Sequence, residues 1–186
     1  MTQTSTKQGT SLYQALCDDL RVIGVEHPSR ARIVWCFFSS ASFLAVFLFR
    51  IGGACYGRGL LGKIAEKVIR RINHLLIACD ISSSATAGPG LHLPHPVGIV
   101  VGRAVIGDHV TIFQNVSLGI RHSSENPLID AYPTIGNNVK IFAGAVLLGD
   151  VKIGNNVLIG ANAVVLTDIP DNSTAVGVPA RVLPRG

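Results

Sequence analysis

The sequence predicts a mainly β protein in which an α-helical N-terminal region, residues 1–80, is followed by a parallel β-solenoid, residues 81–186. Apolar residues recur every six positions in the second region, and at three- and four-residue intervals near the end of the first. The composition agrees, with 48% hydrophobic but 6% aromatic residues. A core of Ile, Val, Leu and Ala suits stacked coils, and 186 residues allow one domain with an appendage.

The N-terminal region carries the whole charge surplus of the chain. Residues 1–80 hold ten Lys and Arg against five Asp and Glu, whereas residues 81–186 hold six against six. Such a surplus suits an anionic membrane surface or another acidic partner, and a solvated helix face explains it equally well. Nucleic acid is not expected as a partner, because the chain shows neither an aromatic stacking platform nor a known nucleic-acid-binding motif.

Two segments of this region predict helices. In residues 60–76 the apolar residues form a stripe at helical spacing, which we expect to pack on the rest of the protein. A basic amphipathic helix resting on a bilayer is the alternative. The stripe consists of Leu61, Ile64, Val68, Ile72 and Leu75. The uncharged segment Ile33–Phe49 has the minimum length of a membrane span and contains three serines, so a buried or interfacial helix is expected there.

From residue 81 onwards the apolar period is six. One inward-facing series runs at this period without a slip: Ile135, Ile141, Leu147, Ile153, Ile159 and Val165. Each member has an apolar partner four residues further on: Val139, Ala145, Val151, Val157, Ala163 and Ile169. The same spacing holds from Ile106 to Leu118. It also holds from Ile81 to Ile99, with Val97 among the partners, before one residue is lost near Arg103. Three six-residue sides close one coil, so residues eighteen apart should stack roughly 4.8 Å from each other.

Residues 119–133 break the period, which is typical of a binding loop and also of an inert surface loop. The chain has four cysteines, whose wide spacing fits neither a zinc site nor a disulfide framework. No signal peptide is visible. We therefore expect a cytoplasmic protein, or one bound peripherally to the inner face of the membrane.

Three motifs carry a resemblance to a known family. They are His95–Gly102 (HPVGIVVG), Gln114–Gly119 (QNVSLG) and Gly177–Arg181 (GVPAR). With Ala41–Arg50, they resemble the bacterial serine acetyltransferase group of hexapeptide acyltransferases, over roughly residues 40–186. The resemblance implies a left-handed parallel β-helix, a homotrimer, and acetyl-CoA as co-substrate in the groove between neighbouring solenoids.

The family's catalytic histidine falls on His95, and the aspartate that orients it falls on Asp80. Their spacing supports the pair, because fifteen residues are three short of a full coil, although a surface histidine at a corner fits the spacing as well. Acetyl transfer needs a base that takes the proton of the attacking hydroxyl, and a carboxylate that holds the imidazole tautomer. His92, His95 and His109 could suggest a zinc site. Their spacing does not match the ligands of the β-helical carbonic anhydrases, so no metal is expected.

For the co-substrate, the resemblance points to small residues along which pantetheine passes, at Ala143, Gly144 and Ala161. Ordinary packing between coils explains small residues equally well. Arg181 is expected to meet the phosphates of CoA, unless it is merely solvated.

The acceptor positions depart from the family. Pro94 stands where the family has an acidic residue, and Ala131-Tyr132-Pro133 replaces an Arg-His-Pro triplet. An amino acid needs charged partners for both of its charges. We therefore expect a sugar hydroxyl of a surface polysaccharide or of its lipid-linked precursor, as in the exopolysaccharide relatives of colanic-acid type, with Tyr132 and Asp130 in its site. The alternatives are a serine O-acetyltransferase of cysteine biosynthesis and a non-catalytic scaffold.

Overall fold

The computed structural model describes residues 11–121 and 131–184, in which four helices precede fourteen short strands. The helices are α1 (Leu12–Val22), α2 (Arg30–Ser39), α3 (Ala41–Cys55) and α4 (Gly59–Ile77). The strands are β1 (Asp80–Ile81), β2 (Thr86–Ala87), β3 (Val100–Val101), β4 (Val105–Ile106), β5 (Thr111–Ile112), β6 (Ser117–Gly119), β7 (Thr134–Ile135), β8 (Lys140–Ile141), β9 (Val146–Leu148), β10 (Lys152–Ile153), β11 (Leu158–Ile159), β12 (Val164–Val165), β13 (Ser173–Val176) and β14 (Arg181–Pro184).

The strands stack into the three sides of a parallel β-helix. The first side is β1-β3-β6-β9-β12, the second is β2-β4-β7-β10, and the third is β5-β8-β11-β13 with β14 added antiparallel at its end. Ile135 lies beside Ile153 and Ile141 beside Ile159, as the period of six predicts. The six inward-facing residues from 135 to 165 and their six partners are at most 3% exposed.

The first coil departs from the predicted phase. Ile81 pairs with Val101, twenty residues further on, because eight residues separate the inward-facing Leu93 from Val101. The partner position therefore moves from Val97, which is 57% exposed, to Ile99, which is fully buried. The partner position predicted for Val97 and the place of Ile99 in the inward-facing series were both wrong, since a period count does not register two extra residues at a corner.

The segment Ile33–Phe49 does not form the single helix expected. It breaks at Ser40, whose backbone is extended (φ −129°) and whose hydroxyl accepts a hydrogen bond from the Phe43 N–H at 3.2 Å. α3 is largely buried, whereas Cys36 is the buried residue of α2. Within the described residues, no single helix combines the length and hydropathy of a membrane span; α2 and α3 do so only together, across a bend of 116°.

α4 packs on its neighbours with a face that its periodicity does not indicate. The five residues of its apolar stripe are exposed, so the predicted inward packing was wrong. The packed face carries Gly62, Asn73 and Ile77 instead. A Cβ at Gly62 would lie 2.5 Å from the carbonyl oxygen of Cys55, and Asn73 Nδ2 donates to the carbonyl of Ala45 at 3.2 Å. This close approach to α3 requires small and polar residues rather than the bulkier stripe.

A buried ion pair joins the helices to the first coil. Arg50 of α3 donates through Nε and Nη2 to the carboxylate of Asp19 in α1, at 3.0 and 2.9 Å. The same guanidinium donates to the carbonyls of Ala87 and Gly88, both at 2.6 Å. Asp19 is 2% exposed and also accepts the N–H of Leu91 at 2.8 Å. The charges are thus paired inside the protein, and they fix the helices next to the segment that leads to His95.

Candidate active site

One corner of the β-helix, between the third and the first side, gathers half of the predicted site residues, namely His95, Ala143, Gly144 and Ala161. We call it the Gly98 corner: residues 94–98, 113–115, 142–144 and 160–162. On successive coils its turn residues Gly98, Asn115, Gly144 and Asn162 all have positive φ, between 56° and 73°. Each donates its N–H to a carbonyl of the coil before, at 2.8–3.0 Å. This ladder stacks the turns directly over one another.

His95 lies in the enlarged first turn of this corner. Pro94 and Pro96 flank it, and their rings restrict the backbone on both sides. Its side chain is exposed, and within the described part of the chain it makes no hydrogen bond or ion pair. The two extra residues of this coil therefore extend an imidazole with free nitrogens into solvent.

Asp80, the first residue of β1, lies across the same corner from His95. It pairs with Val100, which follows His95 by five residues, whereas a count of eighteen per coil puts Asp80 opposite Gly98, three residues after His95. The two residues are therefore further apart in register than that count suggests. Its two carboxylate oxygens accept hydrogen bonds from Arg70 of α4, Oδ1 from Nε at 2.5 Å and Oδ2 from Nη2 at 3.0 Å. The structure brings Asp80 and His95 to one corner but does not join them by a hydrogen bond.

A positively charged cavity of about 380 Å³ opens beside Asp80. It is lined by Lys67, Arg70, Arg71, His74 and Asp80. Three cationic side chains thus face one carboxylate, and the hydrogen bond with Asp80 raises the pKa of Arg70. Such a cavity attracts an anionic group. The sequence contained a signal of it, since the basic residues of α4 lie off its apolar stripe, but that signal was interpreted as a solvated face.

The residues predicted for acetyl-CoA lie further along the Gly98 corner. The carbonyl of Ala143 accepts the N–H of Asn162, the residue after Ala161, at 2.9 Å, so Ala143 and Ala161 are neighbours on successive coils. At Gly144 a Cβ would lie 2.1 Å from Asn162 Oδ1, so the position favours glycine, and no side chain covers the backbone there. Small side chains fit a thin pantetheine chain lying against the backbone. Arg181 is exposed in β14, opposite Val176.

The residues predicted for the acceptor are not at this corner in one protomer. Tyr132 packs on Gly102, at the other end of β3, where a Cβ on the glycine would lie 1.9 Å from Tyr132 Cε1. The guanidinium of Arg103 lies 5.6 Å from the centre of its ring. Asp130 and most of the loop lie outside the described residues.

The other histidines near the site do not form a metal centre. His92 lies in the third side, bridged to Thr111, and burial lowers its pKa. His109 occupies a turn with φ 55°, with its ring against Gly90. Among residues 11–121 and 131–184, no group of three His, Cys, Asp or Glu side chains is placed to hold a metal ion.

Known proteins similar to this chain are serine acetyltransferases. The family described as bacterial transferase hexapeptide (six repeats) matches residues 132–167. A serine acetyltransferase of Synechococcus elongatus is 33% identical over 94% of this chain and 70% of its own length. The structure of soybean serine acetyltransferase complexed with serine has a TM-score of 0.80 and 35% identity, over 94% of this chain and 70% of that one. A serine acetyltransferase in complex with CoA has a TM-score of 0.77 and 31% identity, over 93% and 70%.

These relatives confirm some predictions and overturn another. The chain spans between 50% and 78% of the length of the serine acetyltransferases it matches. They confirm the fold, a left-handed parallel β-helix behind a helical region, and an acyltransferase that uses acetyl-CoA. The expectation of a surface polysaccharide acceptor was wrong, because the relatives are named serine acetyltransferases rather than sugar acetyltransferases.

The error has a physical origin. Pro94 and Ala131 show which charged partners are missing at the aligned positions, but not which other cations the fold supplies. α4 brings Lys67, Arg70 and Arg71 to the site from outside those positions. By its 33% identity over 94% of the chain to the Synechococcus elongatus enzyme, the chain belongs to the serine acetyltransferase family of hexapeptide-repeat acyltransferases, enzymes that take acetyl-CoA as co-substrate.

Proposed function

We propose that this protein is a serine O-acetyltransferase, which moves the acetyl group of acetyl-CoA to the hydroxyl of serine. The proposed chemistry depends on one observation: the exposed imidazole of His95, which has no hydrogen-bond partner among residues 11–121 and 131–184, lies at a corner lined by the small residues Ala143 and Ala161. The acceptor is inferred from the relatives, among them the soybean enzyme complexed with serine. The cationic cavity beside Asp80 agrees with an acceptor that carries a carboxylate.

His95 acts as the general base. The hydroxyl of serine is almost wholly protonated at neutral pH. Its oxygen therefore attacks the thioester carbonyl carbon while the imidazole takes the hydroxyl proton. The tetrahedral intermediate then breaks the carbon–sulfur bond, and the imidazolium returns the proton to the leaving thiolate. Both substrates lie in one groove, so no acyl-enzyme is required.

Asp80 orients the base, and Arg70 positions Asp80. The two hydrogen bonds from Arg70 fix the plane of the carboxylate. A carboxylate oxygen has two lone pairs, so Asp80 can accept a bond from the ring N–H of His95 while it keeps Arg70. The pair then holds one imidazole tautomer and stabilises the imidazolium.

Acetyl-CoA lies along the Gly98 corner, with its pantetheine against Ala143, Gly144 and Ala161 and its phosphates near Arg181. The groove closes in a homotrimer, in which a second protomer covers the outer side of the first coil. Val97, Val100 and Val105 support this arrangement, since these apolar side chains are 49–57% exposed on the outer surface.

The test is a thiol-release assay with acetyl-CoA and serine on the wild type, His95→Ala and Asp80→Asn. We expect serine-dependent release of CoA, and a loss of 10²–10⁴-fold in His95→Ala, the usual contribution of a general base. His92→Gln is the matched control, because His92 lies three residues away, in an isolated β-bridge to Thr111. Release that does not depend on serine, or that survives in a folded His95→Ala variant, contradicts the proposal. No turnover by the folded wild type with any acceptor favours a non-catalytic scaffold.

A further inference from the structure

α4 exposes the apolar stripe that its sequence periodicity indicates. Leu61 is 82% exposed, Val68 is 52% exposed and Leu75 is 72% exposed, with Ile64 and Ile72 between them. Successive helical residues are about 100° apart, so the five side chains share one narrow face over the whole length of the helix. The face of α4 that packs on α3 is a different one.

A basic band borders this stripe. At about 100° per residue, Lys67 and Arg71 lie next to the stripe on one side, and Lys63 and Arg70 lie further round the helix, towards the packed residue Ile77. Arg70 is paired with Asp80, and Glu66 is the one acidic residue of the helix. An apolar face bordered by Lys and Arg is the pattern of helices that lie in the interface of a membrane.

α2 repeats the pattern on a smaller scale. Val34, Trp35 and Phe38 lie on one face and are 59%, 67% and 82% exposed. Arg30 and Arg32 lie in its first turn. Aromatic residues of this kind favour the headgroup level of a bilayer, where an amphipathic ring has both an apolar and a polar neighbour.

We propose that α2 and α4 bind the surface of an anionic lipid bilayer, with the α4 stripe and Trp35 inserted below the headgroups. Residues 30–78 hold eight Lys and Arg and one Glu; Arg50 is paired with Asp19 and Arg70 with Asp80, which leaves a net charge of +5. This charge decides the occupant, because a second copy of the chain would bring the same positive surface against itself, whereas anionic lipid complements it. Insertion to the headgroup boundary needs no spanning helix.

Trp35 makes the proposal directly measurable, since it is the only tryptophan of the chain. The full-length protein is mixed with vesicles of phosphatidylglycerol and phosphatidylcholine (3:7), and with phosphatidylcholine alone as the neutral control. We expect co-sedimentation with the anionic vesicles, a blue shift of Trp35 emission, and quenching by lipids brominated near the headgroup. Raising the salt concentration should release the protein.

Variants separate the two contributions. Leu61→Ser with Val68→Ser should weaken binding by about tenfold or more, since two apolar side chains leave the bilayer. Lys63→Gln with Lys67→Gln should weaken it by about fivefold per charge. Lys140→Gln with Lys152→Gln is the matched control, because these exposed lysines lie on the β-helix and their loss should leave binding unchanged.

Three results overturn the proposal. One is a wild type that stays in the supernatant with anionic vesicles. Another is binding that both helix variants retain. The third is a change of oligomer mass in the Leu61→Ser, Val68→Ser variant without any vesicle binding by the wild type, which assigns the stripe to a second copy of the chain. Circular dichroism of each variant shows that the fold is retained.

Discussion

Removing Arg50 should cost the protein a large part of its stability. In Arg50→Met the carboxylate of Asp19, which is 2% exposed, loses its charged partner and keeps only backbone donors, the N–H groups of Leu91 and Gly90. The carbonyls of Ala87 and Gly88 lose their donor as well. Breaking a buried pair on one side costs about 3–5 kcal/mol, and a domain of this kind is stable by about 5–15 kcal/mol in total. We therefore expect a loss of about 4 kcal/mol in the free energy of unfolding.

The measurement is urea unfolding at one fixed protein concentration, followed by circular dichroism. Asp19→Leu combined with Arg50→Met should cost less than Arg50→Met alone, because no charge then remains buried. The control is Arg21→Met, which breaks the exposed pair of Arg21 with Asp18 and should change stability by less than about 0.5 kcal/mol. A cost below about 1 kcal/mol for Arg50→Met would refute the reasoning, since it would mean that the pair does not join the helices to the first coil.

Three further predictions concern the site and its frame. Arg70→Gln removes the cation from Asp80, so the carboxylate should attract the imidazolium of His95 more strongly. The acidic limb of the pH–kcat profile should then shift to higher pH, with kcat about tenfold lower. If the limb does not move, Asp80 does not contact His95 during catalysis. Burial lowers the pKa of His92 in the folded protein, so below about pH 6.5 the unfolded chain binds this proton more readily and the stability of the protein should fall as the pH falls. The urea midpoints at pH 5 and pH 7 should therefore differ less in His92→Gln than in the wild type. An equal difference in both proteins would contradict this role of His92. Gly144→Ala forces a Cβ into a position 2.1 Å from Asn162 Oδ1 at φ 73°, which should cost about 2–3 kcal/mol on urea unfolding; a cost near zero would mean that the turn rearranges freely.

The β-helix was predictable in detail because its geometry is local and repeated. Each six-residue side must bury an apolar residue and its partner four positions further on, so the pairing of Ile135 with Ile153 follows from the spacing alone. The candidate site was predictable in part. His95, Ala143 and Ala161 lie at one corner, since residues in equivalent turns of a solenoid are stacked by the coil itself.

The rest depended on distances that a period does not contain. Two extra residues before Val101 moved Val97 to the surface, because an insertion at a corner changes the phase of everything up to the next correction. The acceptor was misjudged since the missing charges were counted only at aligned positions. The cations beside Asp80 come from a helix with no motif of its own.

The sequence by itself determined the class of the fold, the family, and the identity of the exposed imidazole, because a repeated apolar period and contiguous motifs are properties of the chain. Only the tertiary structure decided which face of α4 is buried. Periodicity shows that a helix has an apolar face, but the shape of the neighbouring helix selects the packed one, and here close approach at Gly62 favoured the small face over the stripe. The same packing brought Arg70 to Asp80, a contact between residues ten apart in sequence that no pattern indicated.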